Sequence, residues 1–250
     1  MKIIMSHPTG NANVRAVANG LLQANMLATF HTTVATFPGN ILERLSAVGP
    51  FGELKRRHFD AALQAKTRMW PWREIGRTVA LKAGFTRLVT HETGLFCVDA
   101  VYRSLDEHVA TTLPPAAAQK AVDAVYAYED GAAISFHQAK QLGLKCYYDL
   151  PIGYWRAAQR LLEPERNRWP AWEATIPSFE NSVAKLARKD EELRMADRIF
   201  VASQFTADTL KDFPGQLAPI SVIPYGFPKV GEDRSYPAKN NNRPLKLLFV

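Results

Sequence analysis

The chain has 250 residues, of which 47% are hydrophobic and 22% are charged, and its formal net charge is +7. This is the composition of an ordinary globular protein, long enough for one large domain or two small ones. No apolar run reaches the roughly 18 residues of a membrane-spanning helix. Cys97 and Cys146, the only two cysteines, form no C-x-x-C pattern, which argues against a disulfide framework or a cysteine-based zinc site. We therefore expect a cytosolic protein.

The first 36 residues predict a strand, a loop, a helix and a second strand. The apolar run KIIMS (2–6) stops abruptly at HPTG, which is typical of a buried strand followed by a turn. Apolar residues at helical spacing then predict a helix over 13–26. The segment 27–36, rich in Thr, Val and Phe, predicts the second strand. Such a unit is typical of the start of a parallel α/β sheet.

Residues 40–118 are mostly helical in pattern. Prolines predict breaks in this helical region at Pro50, at Pro71 and at the pair Pro114–Pro115. Residues 87–94 are compatible with either a helix or a strand, and the pattern alone leaves both open.

An alternation of strands and helices then returns. We predict strands over 121–129, 144–151, 197–203 and 219–227, and helices over 131–143, 179–196 and 203–213, with Ser203 as the N-cap of the last helix. This alternation predicts an α/β fold with a Rossmann-like, doubly wound parallel sheet.

The end of the sequence suggests a domain boundary. Residues 228–244 are polar and rich in Pro, Gly and Asn, which is typical of a linker. The apolar run LKLLFV (245–250) follows and has the pattern of a buried strand. We therefore expect one domain over 1–227, a linker over 228–244, and in 245–250 the first strand of a second, absent Rossmann-like domain.

Four stretches together resemble the N-terminal half of a GT-B glycosyltransferase of the large family-four class. HPTGNANVRAVANGLL (7–22) is similar to that class's glycine loop and first helix, and DRIFVASQFTADTL (197–210) is similar to its strand–Ser-x-x-Thr–helix element. SVIPYGFPKV (221–230), followed by a linker and LKLLFV, resembles the strand that closes the family's first domain. Residues 128–155 also resemble a known subgroup.

The resemblance implies a sugar transfer from a nucleotide diphosphate sugar to an acceptor hydroxyl, with retention of configuration and without a metal or other cofactor. It implies that this domain holds the acceptor, a carbohydrate or a lipid-linked molecule, and that the absent domain holds most of the nucleotide sugar. The 250 residues alone would then be inactive or nearly so. A non-catalytic domain that binds a glycan or a protein partner is the alternative.

The loop after the first strand holds the predicted donor-phosphate site. Ligands of open α/β sheets bind beyond the carboxyl ends of the strands, and a glycine there lets backbone N–H groups approach a phosphate. We therefore predict that Gly10, Asn11 and Asn13 contact the donor diphosphate; a plain turn with an asparagine cap is the alternative. His7, just before this loop, is a candidate acceptor-binding residue, although such a histidine is more often structural.

Two carboxylates at neighbouring strand ends are the candidate catalytic residues. Asp149 could accept a hydrogen bond from a sugar hydroxyl or take up the acceptor proton. The resembled family often has a histidine at the matching place, so a His-based role does not carry over, and an aspartate in a turn before Pro151 is the structural alternative. Glu129 is predicted to bind sugar hydroxyls, whereas the adjacent Asp130 is predicted to cap the following helix.

Aromatic residues suggest two further contacts. Tyr154 and Trp155 could stack on a sugar or an apolar acceptor, although core packing explains them equally well. Residues 55–77 interleave cations with Phe59, Met69, Trp70 and Trp72. This suits an anionic membrane surface as well as a solvated helix face with buried tryptophans. Because no nucleic-acid-binding motif accompanies these charges, we expect no nucleic acid partner.

Overall fold

The protein is described by a computed structural model over residues 1–40, 43, 54–175 and 179–226. Phe227, the predicted linker 228–244 and the predicted strand 245–250 lie outside the described residues. The predicted end of the first domain and the expectation of a second domain therefore stay predictions.

Seven parallel strands form one sheet in these ranges. They are β1 (Ile3–Ser6), β2 (Leu27–Thr32), β3 (Thr67–Met69), β4 (Ala124–Tyr128), β5 (Lys145–Leu150), β6 (Arg198–Val201) and β7 (Ile220–Val222). Their order across the sheet is β3-β2-β1-β4-β5-β6-β7. The strand order reverses between β1 and β4, which is the position where doubly wound sheets usually bind ligands. The predicted α/β fold with a Rossmann-like parallel sheet is confirmed.

The helices connect the strands. They are α1 (Ala12–Gln23), α2 (Trp72–Lys82), α3 (Val98–Ala118), α4 (Ala133–Gln141), α5 (Trp155–Arg168), α6 (Val183–Met195) and α7 (Gln204–Thr209). Short 3-10 helices span Ala61–Lys66, Thr86–Val89, Pro170–Thr175 and Leu210–Asp212. Ser203 caps α7 as predicted, because its hydroxyl accepts a hydrogen bond from the Thr206 amide at 3.1 Å.

Two sequence predictions in the region 40–118 are wrong. The pair Pro114–Pro115 does not break the helix but lies inside α3. Its neighbour Leu113 is fully buried in the core, and this packing outweighs the local preference of proline. The three-residue strand β3 lies in a region whose pattern predicts helices, since a strand this short shows no periodicity. Residues 86–89 form a 3-10 helix, so the ambiguous segment 87–94 is not a strand.

The two faces of the sheet are covered unequally. Helices α3, α4 and α6 contribute Leu105, Phe136 and Leu193 to a core that also contains Tyr148 of β5. On the opposite face α1 packs its Val14 and Ala18 against β1 and β2.

Aromatic side chains continue this second face beside α1. Phe200 of β6 packs against Tyr126 of β4 and Tyr147 of β5, with ring centroids 5.8 and 6.0 Å apart. They line a cavity between α1 and the run that follows β7.

Candidate functional site

A cavity of about 550 Å³ brings together residues from all four of the stretches singled out in the sequence. Asn11 and Asn13 reach it from the start of α1, Asp149 from β5, Phe200 from β6, and Tyr225 from the IPYG segment after β7. Parallel strands place their carboxyl ends at one edge of the sheet, so residues far apart in sequence meet there. The cavity is therefore the candidate site.

Among the ionisable residues of this cavity, Asp149 is the best suited to act as a general base. It lies opposite Tyr128 in the β4–β5 pairing, and one of its carboxylate oxygens accepts a hydrogen bond from the Tyr126 hydroxyl at 2.9 Å. Burial raises its pKa from 3.8 to about 6, although the Tyr126 hydrogen bond acts in the opposite direction. A carboxylate that titrates close to neutral pH is suited to take up a proton from a substrate hydroxyl.

Tyrosines surround this carboxylate. Burial and the charge of Asp149 raise the pKa of the Tyr225 hydroxyl, and the same two causes contribute to the raised pKa of Tyr126 and Tyr128. The three hydroxyls therefore stay protonated and can donate hydrogen bonds. These three tyrosines were not among the site residues predicted from the sequence. Tyr126 and Tyr128 alternate with alanine in the segment AVYAYE, and this period of two could have placed both on the face of Asp149.

The loop after β1 is organised by packing and capping. Asn11 is the N-cap of α1, because its side-chain oxygen accepts a hydrogen bond from the Val14 amide at 2.9 Å. Gly10 is buried against the Phe59 ring, and a Cβ at this position would overlap that ring. The structural alternative thus explains both residues. The start of α1 still presents a positive helix end to the cavity, so the predicted phosphate contact stays a prediction.

His7 lies behind the cavity rather than in its wall. Its side chain is buried, its Nδ1 accepts a hydrogen bond from the Thr9 amide at 3.0 Å, and its ring packs at 4.2 Å from the ring of Tyr128. Burial lowers its pKa to about 3, so the imidazole is neutral near pH 7. Within the described residues, its Nε2 atom is buried and has no hydrogen-bond partner. Contact with an acceptor stays a prediction.

Glu129 does not share the cavity with Asp149. Its amide donates to the Asp149 carbonyl at 3.1 Å, but its side chain lies on the other face of the sheet, where the Lys189 ammonium donates to its carboxylate at 3.0 Å. Burial raises the pKa of Glu129, and the charge of Lys189 opposes this rise. The two predicted catalytic carboxylates therefore do not form a pair around one substrate, and a role of Glu129 in sugar binding stays a prediction.

The prediction that Asp130 caps α4 is wrong. Asp130 has a positive φ of 68° and its carboxylate lies near the cations of α6. The amides at the start of α4 instead donate to Glu192 and Asp106, at 3.1 Å from Ala132 to Glu192 and at 2.7 Å from Ile134 to Asp106. Glu192 lies 60 residues away in sequence from Ala132, so no local motif could reveal this cap.

Tyr154 and Trp155 belong to a separate buried network. The Tyr154 hydroxyl and the Trp155 indole N–H both donate to the Asp190 carboxylate, at 2.8 and 2.7 Å, and Arg156 forms an ion pair with it. Tyr154 is part of the core on the α3–α6 face. The structure does not bring these two residues to the cavity of Asp149, and their predicted contact with an acceptor stays a prediction.

Two kinds of feature are not found in the described part of the chain. No group of three or more His, Cys, Asp or Glu side chains there is arranged to hold a metal ion. None of the helices described above has both the length and the apolar character needed to cross a bilayer.

The comparisons with known proteins give structural similarities alone. No protein-family model matches the chain, and no curated protein matches it. The solved structures similar to it include UGT2 of Phytolacca americana complexed with UDP-2fluoro-glucose and pterostilbene (12% identity, TM-score 0.49), a UDP-glucosyltransferase of Polygonum tinctorium (9%, 0.42) and MurG of Acinetobacter baumannii (15%, 0.36). These matches cover 93%, 89% and 92% of this chain and 55%, 52% and 47% of the other chains. The chain thus spans about half the length of these structures.

Proposed function

We propose that the chain is the acceptor-side part of a glycosyltransferase that uses a nucleotide diphosphate sugar. The proposal rests on the resemblance of its motifs and, above all, on one observation. The cavity gathers Asn11, Asn13, Asp149 and Tyr225, which come from three separate motifs of that resemblance, at the carboxyl edge of the sheet.

In the proposed reaction, Asp149 accepts the proton of the acceptor hydroxyl as that oxygen attacks the anomeric carbon of the donor. Tyr126 holds the carboxylate in place by its 2.9 Å hydrogen bond. The donor diphosphate leaves towards the start of α1, where the positive helix end and the amide side chains of Asn11 and Asn13 favour an anion. The motif resemblance further suggests retention of configuration. In a single displacement, retention requires the hydroxyl to attack from the same face that the diphosphate leaves, whereas attack from the opposite face would invert the anomeric carbon. The anomeric coupling constant of the product distinguishes the two.

The resemblance also implies a second domain that would hold most of the nucleotide sugar. We therefore propose that the 250-residue chain alone does not turn over, whereas the product of the complete coding sequence does. The nucleotide sugar is a substrate in this proposal, and no metal or other cofactor is invoked.

The test measures release of nucleoside diphosphate from a panel of nucleotide sugars in the presence of hydroxyl acceptors. The product of the complete coding sequence is expected to release it, and Asp149→Asn to lower the turnover by about 10²- to 10⁴-fold, the usual contribution of a general base. Glu163→Gln, at an exposed position of α5, is the control and is expected to leave turnover unchanged.

The results separate the function from the assignment of its residue. If no nucleotide sugar supports release by the complete protein, the proposed function is wrong. If release occurs but Asp149→Asn equals Glu163→Gln, the role of Asp149 is wrong. If a carbohydrate binds without any turnover, the non-catalytic binding domain is correct, an alternative favoured by the aromatic walls formed by Tyr126, Tyr147 and Phe200.

A further inference from the structure

Helix α2 exposes all four of its large apolar side chains. Leu81, near the end of the helix, is 51% exposed and lies on a different side from Val79. Trp72, Ile75 and Val79 have 66%, 49% and 57% of their surface exposed, and their spacing of three and four residues places these three on one side of the helix. We call these three residues the α2 stripe. In a helix of a globular domain such a stripe usually faces the core.

The inner side of the same helix includes two small residues that pack tightly. Ala80 is buried, and Gly76 packs so closely on the Phe96 ring that a Cβ there would overlap it. The helix is therefore held against the protein by residues that leave no room for a large side chain. Rotation of α2 to bury the stripe would remove this fit, so the exposure of the stripe is a built feature of the fold.

Exposed apolar residues continue beside the stripe. The Arg73 guanidinium donates to the Leu95 carbonyl at 2.7 Å, which fixes the loop before α3 next to the start of α2. Leu95 in this loop and Val98, the first residue of α3, are 53% and 47% exposed, and Phe85, after the end of α2, is 58% exposed. This concentration of exposed apolar side chains in one part of the fold indicates an interaction surface.

The charges around the stripe are positive. Residues 72–90 contain four cations, Arg73, Arg77, Lys82 and Arg87, and one acid, Glu74. That acid is already neutralised, because the Arg57 guanidinium donates to its carboxylate at 2.6 Å. A partner that covers the stripe is therefore expected to be apolar at its centre and anionic at its rim.

We propose that the α2 stripe docks on an anionic lipid bilayer. A surface helix with aromatic and aliphatic residues on one side and cations beside them lies in the plane of the membrane interface. Trp72 would sit at the level of the headgroups, which is the preferred depth of tryptophan. The neighbouring cations gain from the negative surface potential. This proposal is independent of the proposed sugar transfer.

The structure also narrows the region that the sequence suggested. Within 55–77, Phe59 is buried in the core, and the Trp70 indole N–H donates to the Ser104 hydroxyl at 3.0 Å while its ring stacks on His108. Neither residue is free to enter a bilayer. Docking therefore depends on Trp72 and the residues after it.

The test is co-sedimentation of the purified 250-residue protein with lipid vesicles. Vesicles of phosphatidylcholine alone are compared with vesicles that also contain phosphatidylglycerol, each at low and at high salt. We expect binding to the anionic vesicles, weakened by salt. The affinity of the double variant Trp72→Ser/Ile75→Ser for these vesicles is expected to be lower by about tenfold or more, because the inserted apolar area is lost.

A matched control separates this surface from general stickiness. Trp172 is 65% exposed and lies in another part of the fold, so Trp172→Ser removes an equally exposed tryptophan. It is expected to bind vesicles as the unchanged protein does, and both variants are expected to unfold at the same urea concentration as that protein. Absence of binding to anionic vesicles, or equal binding by the two variants, would overturn the proposal. If the unchanged protein is a dimer that does not bind vesicles, and the double variant is a monomer, the stripe is a self-association surface and the proposal is equally overturned.

Discussion

Replacement of Asp149 by asparagine is expected to stabilise the protein at neutral and alkaline pH. A carboxyl group whose pKa is raised by folding binds its proton more tightly in the folded state than in the unfolded state. Its ionisation therefore costs folding free energy, and stability falls as pH rises from the unfolded pKa of 3.8 to the folded value of about 6. An asparagine keeps the acceptor for the Tyr126 hydroxyl and removes this cost.

The magnitude follows from the two pKa values. A difference of one between the folded and unfolded pKa of a group corresponds to about 1.4 kcal/mol. The penalty is therefore about 0.1 kcal/mol near pH 3, about 1 kcal/mol near pH 4.5 and about 3 kcal/mol above pH 8. The stabilisation by Asp149→Asn should grow by about 2 kcal/mol between pH 4.5 and pH 8. Because the Asp149 side chain is partly exposed, these free energies are upper limits.

Urea unfolding at these two pH values measures the difference directly. Glu163→Gln serves again as the control and is expected to change the unfolding free energy equally at both pH values, because its side chain is exposed. If the stability gained by Asp149→Asn is the same at both pH values, or if the variant is less stable at pH 8, the burial argument for Asp149 is wrong. A gain in stability together with a loss of turnover would identify a residue kept for chemistry at the expense of the fold.

Two further substitutions test packing and charge burial. Gly10→Ala is expected to lower the unfolding free energy, measured in urea, by about 1–3 kcal/mol, because the new methyl group overlaps the Phe59 ring. Adding Phe59→Leu should restore part of this loss. If the losses of the two single variants simply add, the contact between residue 10 and the Phe59 ring is contradicted. Lys189→Met is expected to cost about 3–5 kcal/mol, since it leaves the Glu129 carboxylate buried without its cation. The double variant with Glu129→Gln should then be more stable than Lys189→Met alone by calorimetry, and an equal or lower stability would show that the pair is not coupled.

Those parts of the fold that depend on local pattern were predictable. The strands β4, β5 and β6 are short buried runs that alternate with helices along the chain, and this alternation predicted a parallel sheet. Strand β3 was missed because three residues carry no period, and it forms only by pairing with β2. The continuation of α3 through Pro114–Pro115 depends on the buried Leu113 and not on local preference.

The site was predictable where it depends on strand ends. Asp149 and Asn11 both follow from the rule that ligands meet the carboxyl edge of a parallel sheet, and the structure places both in one cavity. The partner of Glu129 was not predictable, because Lys189 comes from a helix 60 residues later whose rotation the sequence does not specify. The outward direction of Trp72 was also hidden, since a helical apolar pattern normally indicates the core.

The long-range cap of α4 has a consequence for synthesis on the ribosome. Glu192 accepts hydrogen bonds from the Ala132 and Ala133 amides and from the Tyr148 hydroxyl, so these buried donors lack their acceptor until residue 192 has been made. At roughly 5–20 residues per second, about 3–12 s separate the emergence of the two partners. During this interval the centre of the sheet in the nascent chain is incomplete. Chaperones that bind unfinished chains could then bind its exposed apolar residues. Messages or nonsense mutations that end translation between β5 and α6 should therefore yield insoluble fragments.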